Sequence, residues 1–138
     1  MAEKDFKISF FQVDMLTNTR SFHELLQEAE QLSPEERTSS KYTRLDNISF
    51  DSRTQIWYGS LTKIRMTNLP EKINHNNGER APLPIADDEG IAEMTVFLYD
   101  PEVKMLLIQK SQYAPQISVL GDYLQERFAT LPIDFRIV

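Results

Sequence analysis

The chain lacks the residues on which several classes of protein depend. It contains no cysteine, so no disulfide framework can form. No apolar run approaches the roughly 20 residues that a membrane helix needs, and residues 1–5 carry mixed charge rather than the apolar stretch of a signal peptide. No glycine-rich phosphate loop or nucleophile motif occurs. We therefore expect a single cytoplasmic domain over residues 1–138 that has no membrane segment, uses no cofactor and is not an enzyme.

The charge balance also limits the partners. The net charge is −6 at pH 7, which argues against broad binding to nucleic acid because phosphate neutralisation requires clustered Lys and Arg. A local basic patch can still occur on an acidic chain. Most of the acidic residues are typical of a solvated surface.

The segment from Gly90 to Phe128 contains the strongest pattern. Residues Ile91–Tyr99 and Val103–Gln109 are rich in β-branched and large apolar side chains, and Asp100-Pro101 between them supplies a turn. An amphipathic helix follows, with Gly121 on it to allow close packing. We predict that this hairpin forms the centre of the fold.

The remaining elements complete an α+β prediction. Ser21 and Glu24 have capping-box spacing ahead of a helical stripe that ends at Leu32, and Ser33-Pro34 repeats the start signal. A short strand is predicted at Tyr42–Leu45. Further strands are predicted at Asp5–Met15, Gln55–Met66 and Ile133–Val138. Together these predict a mixed, mainly antiparallel sheet of about five or six strands with two main helices on one face.

Residues 68–89 are predicted to form an irregular, mobile loop. This segment has three prolines, the turn signal Asn76-Asn77-Gly78 and few large apolar residues.

Potential catalytic or metal-binding groups have simpler structural explanations. Neither His23 nor His75 has a partner at metal-ligand spacing, and both are expected to be structural. Asp87, Asp88, Glu89 and Glu93 suggest a metal-dependent nuclease. However, Ile108 stands where the acidic-x-Lys element would need an oxygen ligand before Lys110. A cross-strand ion pair between Glu93 and Lys110 is the expected alternative.

Two groups of residues are candidates for partner binding. Trp57, Lys63 and Arg65 share one strand face, where they would stack bases or contact a protein, or simply form an amphipathic sheet face. Phe135 and Ile137 lie on the last predicted strand. If that strand is at the sheet edge, it would pair with a second copy; if the natural protein is longer, its continuation would occupy the same edge. We therefore expect a homo-oligomer, most simply a dimer, or a protein partner, or both.

The hairpin region resembles a known family. The string Gly-Ile-Ala-Glu-Met-Thr-Val-Phe-Leu-Tyr-Asp-Pro-Glu-Val-Lys-Met-Leu-Leu-Ile-Gln-Lys, residues 90–110, is similar to the hairpin of an uncharacterised bacterial domain family. Some members lie near phage-related or mobile-element genes. The resemblance implies a setting in bacterial phage conflict and no catalytic residues. We expect a non-enzymatic protein-interaction module, within a phage-defence or counter-defence system; the alternative is a nucleic-acid-binding or nucleic-acid-processing component.

The missing ligand cluster generates a first prediction. Millimolar Mg²⁺, Mn²⁺ or Zn²⁺ should leave the melting temperature of the protein nearly unchanged, because carboxylates alone form a weak, flexible site. A rise of several degrees in a thermal melt would reveal a specific metal site.

Overall fold

Helices and strands occupy most of the chain in this computed structural model, which describes residues 7–16, 20–67, 69–110, 114–130 and 132–138. In chain order, the elements are β1 (Lys7–Met15), α1 (Phe22–Glu30), a 3-10 helix (Pro34–Glu36), β2 (Thr43–Asp51), β3 (Ile56–Arg65), β4 (Glu71–Ile73), β5 (Arg80–Pro82), β6 (Ile91–Asp100), β7 (Met105–Lys110), α2 (Ile117–Phe128) and β8 (Ile133–Ile137).

The main sheet has six strands in the order β2-β3-β6-β7-β1-β8, and every neighbouring pair is antiparallel. The predicted hairpin forms β6 and β7 and occupies the centre of the sheet. The predicted α+β class, the strand number and the two main helices are confirmed.

Both helices pack on the same face of the sheet. On β8, Phe135 packs edge-to-face against Phe22 of α1, and its ring also lies against Gly121 of α2. Phe22 packs against Tyr99 of β6 as well, with ring centroids 4.6 Å apart. These contacts join α1, α2 and the sheet into one apolar core.

Local sequence signals account for the position of α1. The Ser21 hydroxyl accepts a hydrogen bond from the backbone N–H of Glu24 at 3.3 Å, as the capping-box spacing predicts. The helix buries four residues of the predicted apolar stripe, Phe22, Leu25, Leu26 and Ala29, whereas the fifth, Leu32, lies beyond the end of α1 and is half-buried.

Two segments differ from the prediction. Strand β2 extends through Asp51, beyond the predicted Tyr42–Leu45, because a bulge between Asp46 and Ser49 interrupts the alternation that marks a strand. The segment predicted to be irregular, 68–89, contains the two-stranded hairpin β4–β5; residue 68 itself lies outside the described residues. In its turn the Asn74 and Asn77 side chains each accept a backbone N–H bond, which stabilises the turn locally.

Two glycines permit close packing. A Cβ built on Gly121 would lie 3.1 Å from the Phe135 ring, which confirms the role predicted for this glycine in α2. A Cβ on Gly59 of β3 would lie 2.5 Å from Cζ of Phe97, and Phe97 is almost fully buried. The core therefore requires glycine at position 59.

We expect Gly59→Ala to lower the free energy of unfolding by about 1–3 kcal/mol, because the enclosed Phe97 ring must move to admit a methyl group. Gly121→Ala is the matched control. The free energy of unfolding of Gly121→Ala should stay within about 1 kcal/mol of the wild-type value, because the gain in helix propensity offsets the close contact of the new methyl group with the Phe135 ring. Urea denaturation measures both. Equal stability of Gly59→Ala and the wild type would contradict the packing argument.

Candidate interaction surfaces

The face of the sheet opposite the helices is apolar and exposed. Along β6, Thr95, Phe97 and Tyr99 point into the core, while the alternate residues Met94, Val96 and Leu98 are exposed. We define the open face as the following side chains: Ile8 and Phe10 of β1, Tyr58 of β3, Met94, Val96 and Leu98 of β6, and Leu107 of β7.

The strand register brings these side chains together. Leu107 lies opposite Phe10 on one side and Leu98 on the other, and Leu98 lies opposite Tyr58. A groove of about 280 Å³ runs between β6 and β1 over β7, lined by Ile8, Val96, Phe97, Leu98, Leu107 and Gln109. The open face is thus one continuous patch across four strands.

Two arginines at opposite margins of the open face are paired with carboxylates of the same chain. On the β8 side, Arg136 lies 2.6 Å from Asp14 and 3.9 Å from Asp134. On the β2 side, Arg44 bonds to Asp46 at 2.8 Å.

The second of these pairs is perturbed by its surroundings. Burial opposes ionisation of Asp46, but hydrogen bonds from Arg44 and Arg37 outweigh it and hold the pKa of Asp46 below its usual value.

The open face therefore has an apolar centre and a polar rim, which is the arrangement typical of a protein interface.

Three residues of β3 were predicted to bind a partner. They lie on the helix-covered face of the sheet, opposite the open face. Trp57 is only 5% exposed, and its ring packs on Phe50 with centroids 5.0 Å apart. Arg65 forms an ion pair with Glu93 at 2.5 Å. Lys63 lines a separate cleft with Asp122 and Glu126. The structure therefore does not assemble Trp57, Lys63 and Arg65 into one free basic and aromatic surface.

The ion pair of Glu93 also corrects a prediction. Lys110 was the expected partner, but the β6–β7 ladder begins at Phe97–Ile108, so Glu93 lies beyond its end. Glu93 instead lies beside β3, where it meets Arg65.

A polar groove of about 780 Å³ lies between α1 and the β2–β3 end of the sheet. On the α1 side of this groove, Arg20 and Glu28 form an ion pair at 3.1 Å, and the Ser21 hydroxyl lies 3.0 Å from Nδ1 of His23. In the adjoining cleft, burial raises the pKa of Tyr99 to about 12, so this phenol is not a base near neutral pH. The polar side chains near this groove are therefore already paired within the chain, Arg20 with Glu28 and Ser21 with His23.

The acidic residues before β6 have a local role. The Glu89 carboxylate accepts a hydrogen bond from the backbone N–H of Ala86 at 2.7 Å, which closes a turn. Within the described ranges, no three His, Asp or Glu side chains are grouped so as to hold a metal ion. His75 lies exposed in the β4–β5 turn.

The two candidate residues on β8 have different environments. Phe135 is half-buried and packs edge-to-face on Phe11 and Phe22, so it belongs mainly to the core. Ile137 is 85% exposed. Of the two, only Ile137 presents a free side chain.

The comparisons with known proteins place the chain in a family. The profile of a family of unknown function, DUF6731, matches residues 1–132. The chain belongs to the DUF6731 family. This confirms the resemblance to an uncharacterised domain family. The curated proteins and the solved structures contain no match to this chain. In the described part of this DUF6731 chain, neither helix is long and apolar enough to cross a membrane.

The sequence of this DUF6731 member did not lead to a prediction of the open face, although the pattern of two of its strands indicates apolar residues on both sides of the sheet. Strands β1 and β7 carry apolar residues at successive positions, which is typical of strands covered on both faces. The two helices cover one face of the sheet, so the apolar side chains on the other face are not covered by any element of the described chain.

Proposed function

We propose that this chain is a non-enzymatic, cytoplasmic protein-interaction module that binds a partner protein through its open face. The observation that carries the proposal is the continuous exposed apolar patch. Met94 is 57% exposed and Val96 47% exposed at the centre of a six-stranded sheet. Patches of this kind mark interaction sites, because leaving them in water is unfavourable.

Charge favours a protein over a nucleic acid as the partner. The rim residues Arg136 and Arg44 are already paired with carboxylates, and the whole chain carries a net charge of −6. Neutralising phosphates would require free Lys and Arg on the contact surface. Burial of apolar area is therefore the stronger basis for recognition.

The shape of the open face suits an amphipathic helix of the partner. Side chains of β1 and β6 form two ridges on either side of Leu107, and a groove of about 280 Å³ lies between them. Helices of about 10–12 Å diameter pack their apolar stripe on such surfaces. The opposite face of the same sheet already binds α1 and α2 in this way.

We place this module in a bacterial phage-defence or counter-defence system. The support is the resemblance of residues 90–110 to a bacterial family, some of whose members lie near phage-related or mobile-element genes. If the module acts there through the open face, Val96→Lys should change phage plaque numbers on a host expressing it, relative to the wild type. Identical plaque numbers for the wild type, Val96→Lys and an empty vector would contradict this setting.

The open face is tested by site-specific photo-crosslinking. We expect a photo-crosslinking amino acid at position 96 to capture a partner protein in the native host. The same amino acid at Val103, a β6–β7 turn residue that is 52% exposed, should not capture it. The captured partner is then identified and purified, and its affinity is measured by calorimetry.

We expect Val96→Lys to weaken that affinity by about tenfold to a hundredfold, because a buried valine contributes about 1.5–3 kcal/mol. Val103→Lys is the matched control and should bind like the wild type. Unchanged binding of Val96→Lys would sink the proposal, and so would capture of labelled DNA or RNA, or only of a second copy, from position 96.

A further inference from the structure

Among the described residues, β8 is the outermost strand on one side of the sheet, and its outer side has a defined hydrogen-bonding pattern. The N–H of Val138 donates to the carbonyl of Phe10 on β1 at 3.1 Å. On β1, Val13 lies opposite Phe135 of β8. The N–H of Val13 points away from β8 and donates to the carbonyl of Lys104 at 2.9 Å. Antiparallel ladders alternate in this way. The N–H and C=O groups of Ile133, Phe135 and Ile137 therefore point outward from the sheet.

The other edge of the sheet is blocked. Strand β2 has its bulge between Asp46 and Ser49, and the Arg37 side chain reaches Asp46 at that strand. Bulges and charged side chains are common ways of preventing edge pairing. Strand β8 pairs with β1 in unbroken register from Ile133 to Ile137 and contains no proline.

We propose that β8 pairs antiparallel with β8 of a second copy, about a twofold axis through Phe135. This register places Phe135 opposite its own copy and Ile133 opposite Ile137. All three residues present outward N–H and C=O groups, so each opposed pair would exchange two N–H···O=C bonds. The contact is isologous and closes at two copies.

The charges on β8 select this register. Asp134 and Arg136 lie on the open-face side of the strand, and the register places Asp134 opposite Arg136 of the second copy, twice. Opposite charges across a strand pair are stabilising, whereas like charges directly opposite are destabilising. Centring the pair on Asp134 or on Arg136 would set two acids or two bases against each other.

The helix side of the strand supports the same register. Ile137 is 85% exposed in the single chain, whereas Ile133 is only 9% exposed. Pairing sets each Ile137 beside Ile133 of the other copy and covers apolar surface. The pairing uses the strand edge rather than the open face, so it stands independently of the proposed partner protein.

The proposal is tested by light scattering on the full chain across the micromolar range. The wild type should reach twice the 16.1 kDa mass of one chain. Asp134→Arg alone and Arg136→Asp alone should each remain monomeric, because each sets like charges opposite one another. Mixed together, the two variants should form a heterodimer, because two basic residues then face two acidic ones.

Two further variants separate edge pairing from folding. Asp14→Asn removes the ion pair that Arg136 makes within the chain but leaves the edge charges, so it should dimerise like the wild type. Ile137→Pro removes one outward N–H at an exposed position and should be folded but monomeric. A monomeric wild type, dimers of either charge variant alone, or a mixture that stays monomeric would each overturn the proposal. Dimerisation of Val96→Lys at the wild-type level would confirm that the edge and the open face act separately.

Discussion

The organisation of this protein depends on one constraint: a single layer of two helices covers a six-stranded sheet whose central strands are apolar on both faces. The aromatic contacts of Phe22 with Tyr99 and Phe135 hold that layer in place. Each central strand alternates between the two sides of the sheet, so burying one set of side chains exposes the other. The open face is thus a direct consequence of the way the core is built.

An exposed apolar face is a liability unless the protein limits unwanted association. Several features do so here. The net charge of −6 disfavours close approach of many copies. The bulge in β2 interrupts one edge. On β8, alternating charges at Asp134 and Arg136 would discourage pairing with a foreign edge while matching a second copy of the same strand.

Much of the fold could be predicted because its local and long-range signals agree. The Ser21 cap, the apolar stripe of α1 and the Asp100-Pro101 turn each specify a local structure that the tertiary fold retains. Gly121 was identified as a packing residue because glycine is costly inside a helix. The prediction was wrong where alternation is broken, as at the bulge that follows Asp46 in β2. It was also wrong where short-range hydrogen bonds form a hairpin without large apolar side chains, as at Asn74 to Gly78.

The candidate site was harder to predict because the function of a face depends on what covers it. Trp57, Lys63 and Arg65 do share one strand face, as the alternation indicates, but Trp57 is buried with its ring against Phe50, and Glu93 pairs with Arg65. Periodicity separates the two faces of a strand without saying which one meets the helices. That choice is made by distant residues such as Phe135, whose contacts with α1 and α2 no local pattern shows.

The two proposed surfaces are compatible in geometry, and their combination has a consequence for binding. A twofold axis that relates antiparallel edge strands stands perpendicular to the sheet. It therefore leaves the helices of both copies on one side and both open faces on the other. Two identical apolar faces side by side would bind a dimeric or repetitive partner with an effective concentration set by their fixed separation. A single helix would engage only one of them. In this arrangement the charges of β8 would control dimerisation and so the number of open faces held side by side. They would thereby govern the avidity for a partner that β8 itself does not contact.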